Sequence, residues 1–124
     1  MKYGPGEFSE LSVKAGMKEW IESRQDMCDD PKIYDELPHE VKTVLDKWIE
    51  ASIVPSKKER SSYGIKTDFH RETGIYVYAG VINGALLKAG YQPMNPKDTN
   101  WYFKVDVLKR KNLTEKSYRP CPAF

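Results

Sequence analysis

Val41, Val44, Leu45, Trp48 and Ile49 recur at steps of three and four residues, the buried stripe of an amphipathic helix starting at Pro38 and running to residue 52. Proline suits the first turn, where its missing N–H costs nothing. An earlier stripe of Phe8, Leu11, Met17, Trp20 and Ile21 predicts a helix over Ser9–Arg24, with Gly16 as its weak point. Between the two, DMCDDPKIYDEL has turn chemistry, and Asp30 before Pro31 discourages helix at that junction. After residue 52 the stretch IVPSKKERSS breaks the periodicity at Pro55 and reads as a basic linker.

A third helix is expected over residues 61–73, capped by Ser61 or Ser62 and followed by Gly74 as its stop. Tyr63, Ile65, Lys66 and Phe69 define its course. IYVYA reads as a short extended connector. A fourth helix over Gly80–Ala89 carries Val81, Ile82, Ala85, Leu86 and Ala89 inward, and Gly90 ends it as a left-handed cap. YQPM begins an extended segment, NPKDTN is a turn, and NWYFKVDV alternates cleanly. Trp101, Phe103 and Val105 point one way there; Tyr102, Lys104 and Asp106 point the other. From helix 38–52 onward the order is α-α-α-β-β, which predicts a mainly α fold with a small β-hairpin.

Charge changes this picture by dividing the chain. Residues 1–55 hold 7 Lys/Arg and 12 Asp/Glu, a net −5; residues 56–124 hold 13 and 6, a net +7. Two regions follow: an acidic N-terminal helical segment, 1–55, and a basic module with a C-terminal tail, 56–124. A basic working face is one reading of the asymmetry and plain solubility the other.

The later half, SSYGIKTDFHRETGIYV through GALLKAGYQP to NWYF, resembles the winged-helix domain at the C-terminal end of phage and plasmid primase-helicases. It is similar, too, to small uncharacterised proteins of phages and plasmids from Gram-positive bacteria. The resemblance covers about residues 58–108. It implies a winged helix-turn-helix with an N-terminal helical extension, binding DNA or RNA without catalysis, and it carries over no ATPase or primase signature.

Within that frame Asn83 and Lys88 are expected to face outward from helix 80–89, where Asn reads adenine and Lys contacts guanine or phosphate. Gly80, Gly84 and Ala85 fit close helix packing equally well. Lys66, His70 and Arg71 are placed on the exposed part of helix 61–73 as phosphate contacts, or as a solvated face. Lys104 on the wing strand, with Lys109, Arg110 and Lys111 behind it, forms the better electrostatic cluster, although a basic run also serves solubility. Tyr78 and Tyr102 are the candidate exposed rings for stacking on unpaired bases.

Other chemistries find no footing. The chain has no G-x-S-x-G, H-E-x-x-H or C-x-x-C motif and no phosphate-cradling glycine loop, so no enzyme and no cofactor is expected. Two histidines (His39, His70) and two distant cysteines (Cys28, Cys121) suggest no metal site, and the thiols are expected reduced. No apolar run approaches the roughly 18–20 residues that cross a bilayer. MKYGPGEFSE lacks a signal peptide's apolar stretch, so the expected address is cytoplasmic. An alternative function uses the acidic half: Asp26, Asp29, Asp30, Asp35 and Glu36 imitating DNA phosphates against a host or defence nuclease, as an anti-CRISPR inhibitor would. A homodimer through the Trp20 and Trp48 helices is a third reading.

Overall fold

The computed structural model describes residues 16–108. Its helices are α1 (Met17–Ser23), α2 (His39–Ser52), α3 (Ser62–Thr73) and α4 (Ala79–Lys88); its strands are β1 (Ile53–Ser61) and β2 (Tyr102–Val107). Two 3-10 turns, Gln25–Met27 and Pro31–Glu36, occupy the connector between α1 and α2. The molecule is therefore mainly helical with a small antiparallel β component. The part of the first predicted helix before Gly16 lies outside the described residues.

Local signals set most boundaries. α2 stops at Ser52 because Ile53 is already extended, at φ −94 and ψ 129. Ser61 caps α3, its Oγ accepting the Gly64 N–H at 3.0 Å, and Gly74 ends the helix in the left-handed region at φ 77. Gly90 closes α4 at φ 100, and the Tyr91 N–H donates to the Leu86 carbonyl at 2.9 Å.

The strand pairing differs from the expected hairpin. β2 pairs with β1, the stretch read as a linker, in antiparallel register: Ile53 with Val107, Val54 with Asp106, Pro55 with Val105, Arg60 with Phe103 and Ser61 with Tyr102. The register shifts between Pro55 and Arg60, where the exposed Lys57, Lys58 and Glu59 interrupt any alternation of polar and apolar positions. In a two-stranded ribbon both strands are edge strands, which tolerate proline. YQPM forms no strand; one backbone bond, Met94 N–H to the Tyr102 carbonyl at 2.8 Å, ties it to β2.

One core gathers the apolar faces. The whole α2 stripe is buried, against Ile65 and Phe69 of α3, Val81, Ile82, Ala85 and Leu86 of α4, and Phe103, Val105 and Val107 of β2. Met17, Trp20, Ile33, Tyr34 and Leu37 join the same cluster from the N-terminal side. Trp20 and Trp48, on the helices that the homodimer reading pairs, are buried within the chain: Trp48 packs edge-on to Phe69 at 5.3 Å, and Trp20 Nε1 donates to the Glu36 carbonyl at 2.9 Å.

The Pro31–Glu36 turn and the residues before it lie directly on α4. The Gly80 N–H donates to the Cys28 carbonyl at 2.8 Å. A Cβ at Gly80 would stand 2.6 Å from the Asp30 carbonyl oxygen; one at Gly84 would collide with the Pro31 carbonyl oxygen and Tyr34 Cβ. The two glycines are one helical turn apart, so their bare backbone forms the strip on which the turn rests.

Candidate nucleic-acid interface

A helix that enters a groove must present side chains to it, and α4 does not. Seven of its ten residues, Gly80 to Leu86, are buried. Asn83, expected to face outward, is 1% exposed, and its Oδ1 has no hydrogen-bond partner. Lys88 is exposed, but its Nζ lies 3.2 Å from the Tyr34 hydroxyl and 3.5 Å from Asp46 Oδ2. The physical reason is the glycine strip: residues 28–36 cover the side of α4 that the core leaves open.

Three further candidates also turn inward. Lys66 is buried on α3, its ammonium 4.4 Å from the centre of the Tyr63 ring and 4.6 Å from that of Tyr76; burial lowers its pKa. It is a packed cation rather than a phosphate contact. Tyr78 is half-buried, its hydroxyl donating to the Ile21 carbonyl at 2.6 Å and its ring lying 6.5 Å from Trp20 and 6.1 Å from Tyr76. His70 stacks edge-on against Tyr76 at 5.9 Å, and its Nε2 is buried without a partner. Burial first, and the Lys66 charge second, push the His70 pKa below the usual 6.5.

His70 therefore makes folding sensitive to acid. With its pKa lowered in the folded state, the unfolded chain binds the extra proton first, so this group removes stability as pH falls from about 7 through the unfolded pKa of about 6.5. Urea midpoints measured at neutral and mildly acidic pH should fall in the wild type and fall less in His70→Gln. Equal slopes would mean that the imidazole is not desolvated.

The residues that do converge lie where β1, α3 and β2 meet. Tyr102 and Lys104 are exposed on the outer side of β2, as their alternation predicted. Asp106 follows on that side, and it draws β1 onto the same surface. Arg60 reaches Asp106 Oδ1 with Nη2 at 2.8 Å and Nε at 3.2 Å, while Lys58 Nζ lies 3.1 Å from Oδ2. Those two cations, Arg60 foremost, and the Val107 N–H hold the Asp106 carboxyl at a pKa of about 2. The pairing is fully present above the ordinary carboxylate range and is lost as pH falls toward 2.

Beside this surface runs an open groove of about 480 Å3 lined by Arg60, Ser61, Tyr63, Asp68, Arg71 and Tyr102, among others. Arg71 Nη1 lies 2.9 Å from Asp68 Oδ1 at its rim. Ser61 and Gly64 of the first turn of α3 also line it, adding the positive end of the helix dipole. Tyr63 is 60% exposed and Tyr102 44%. The structure thus brings Arg71, Tyr102 and Lys104 together and adds Lys58, Arg60 and Tyr63, which the sequence reading missed. The KKER run was read as a linker, and Tyr63 as part of the helix's packing course. Lys109, Arg110 and Lys111 lie outside the described residues.

Comparison of the chain with protein-family models, curated proteins and solved structures finds no match in any of the three. Among the described residues no cluster of His, Cys, Asp or Glu is placed to hold a metal ion, Cys28 is a free thiol, and no helix is long and apolar enough to cross a membrane.

Proposed function

We propose that this chain is a small winged-helix protein of phage or plasmid type that binds nucleic acid without catalysis, mainly by electrostatic contacts. The contact surface is the outer side of β1, α3 and β2, in place of α4 in a groove. One observation carries the reading: Lys58, Arg60, Arg71 and Lys104, the first three also paired with Asp106 or Asp68, share a surface with two exposed tyrosines, whereas α4 is covered. The fold reading is supported by two helices joined through a short extended connector, then a turn-rich loop leading into a strand, the parts of a winged helix-turn-helix. Phosphate neutralisation by such side chains gives affinity with little sequence preference.

The test is fluorescence anisotropy with labelled DNA at two salt concentrations. Three phosphate contacts predict roughly a 40-fold loss of affinity between about 50 and 200 mM salt. Charge reversal of Lys58, Arg71 and Lys104 should remove most of that dependence and most of the binding, while Asn83→Ala should leave the salt slope unchanged. Absence of wild-type binding at low salt would sink the reading. It would favour the second one, a protein-binding inhibitor of a host or defence nuclease. One observation supports that alternative: Asp29, Asp35 and Glu36 are exposed along the segment that covers α4 and Asp26 just before it, with Glu36 paired to Arg24 at 3.0 Å, while Asp30 caps the 3-10 turn by accepting the Lys32 N–H at 2.9 Å.

A further inference from the structure

We infer that the groove between Tyr63 and Tyr102 takes unpaired nucleobases, so that the protein prefers single-stranded nucleic acid to duplex. The inference rests on the nucleic-acid reading above and names the substrate class of that site.

Phosphate capture alone needs no exposed rings, yet Tyr63 and Tyr102, at 60% and 44%, are the most exposed aromatic side chains among the described residues, and both line one groove. The groove is open and about 480 Å3 in volume, so a base can lie against a ring without being enclosed. The charges are arranged for a base inside and phosphates outside. Among the groove's lining Arg60 and Arg71 are matched in number by Glu59 and Asp68, so the cations open to a phosphate are those at its edge, the exposed Arg71 and the neighbouring Lys104. Lys58 of β1, paired with Asp106, and Lys104 of β2 stand on the adjoining outer side of the ribbon, where a strand's backbone would pass.

The Tyr63 ring and the backbone that carries Tyr102 are held before any ligand arrives. Tyr63 rests against the Lys66 ammonium at 4.4 Å, and Lys66 is itself fixed between Tyr63 and Tyr76. Tyr102 sits at the start of β2, paired with Ser61 and followed by the fully buried Phe103. A platform already fixed loses little entropy on stacking. In a duplex the faces of the bases are covered by their neighbours, so only unpaired bases can use these rings. The arginines add direction: Arg60 binds Asp106 through Nε and Nη2, and its Nη1 makes none of the described bonds.

The experiment compares three labelled probes by anisotropy at one salt concentration: an oligothymidine of about 12 nucleotides, a duplex of the same length, and a single strand of the same length lacking its bases. The oligothymidine should bind at least about tenfold tighter than either of the others. Tyr63→Ala and Tyr102→Ala should each weaken it by about 5- to 150-fold while leaving the base-free strand within about twofold. Tyr63→Phe and Tyr102→Phe, which keep the ring, should restore binding and show that the loss is not one of folding. Equal affinity for oligothymidine and base-free strand, or alanine variants that bind as the wild type does, would overturn the inference while the electrostatic reading stands. Failure of all three probes to bind would overturn both.

Discussion

Trp48→Ala is expected to lower the free energy of unfolding by about 3–5 kcal/mol, the usual cost of emptying a large aromatic site. Trp48 is fully buried in the second half of α2 and meets Phe69 of α3 edge-on at 5.3 Å. Its Nε1 also donates to Glu72 Oε1 at 3.1 Å, so the indole joins the two helices by packing and by a hydrogen bond. Alanine removes both at once, and a rigid junction of two helices cannot collapse to fill the space. Small domains are stable by only about 5–15 kcal/mol, so a loss of this size leaves a substantial unfolded population under mild denaturant. Trp48→Phe keeps most of the volume and should cost clearly less. Urea unfolding followed by circular dichroism decides the matter; a loss below about 1 kcal/mol would remove Trp48 from the core described here.

The features that the sequence predicted well are those decided within a few residues. The α2 stripe, a serine cap at 61 or 62, the stops at Gly74 and Gly90, and the alternation of Phe103 and Val105 with Tyr102 and Lys104 each follow from a neighbour's spacing or a φ angle. What it did not show is decided between distant segments. β1 has no hydrophobic alternation across Ser56–Arg60, because its exposed turn of the register has no layer to face, and only pairing with β2 makes it a strand. Helical spacing likewise tells which residues share a side, but not how much of the circumference the rest of the chain covers. Asn83 and Lys66 stood on sides that looked free, and residues 28–36 or the tyrosines of neighbouring segments cover them. Arg71, Tyr102 and Lys104 were identified correctly as surface residues because their sides have no such cover. Lys58 and Arg60 became part of the same surface only through Asp106, 46 residues beyond Arg60 in the chain.

Gly84→Ala tests that cover directly, and is expected to destabilise the protein although alanine is the better helix former by about 1 kcal/mol. The new Cβ would collide with the Pro31 carbonyl oxygen and with Tyr34 Cβ, neither of which is the free end of a flexible side chain. The 3-10 turn must therefore move away from α4, and overpacking of this kind costs about 1–3 kcal/mol beyond what the better helix propensity returns. Gly64→Ala is the matched control: the residue is exposed, and its Cβ meets only Ser61 Oγ, at 3.3 Å, a contact that a shift of a few tenths of an ångström relieves and that the gain in helix propensity, about 1 kcal/mol, offsets. It should be neutral or nearly so. Hydrogen exchange of the Gly80 N–H, bonded to the Cys28 carbonyl at 2.8 Å, reads the docking itself and should quicken in Gly84→Ala but not in Gly64→Ala. The nucleic-acid readout then separates two roles for α4. If the β1–α3–β2 surface does the binding, single-strand affinity stays unchanged when the turn is displaced. If duplex affinity instead rises as the turn leaves, α4 is a groove helix that residues 28–36 hold covered, and the binding surface assigned above is the wrong one.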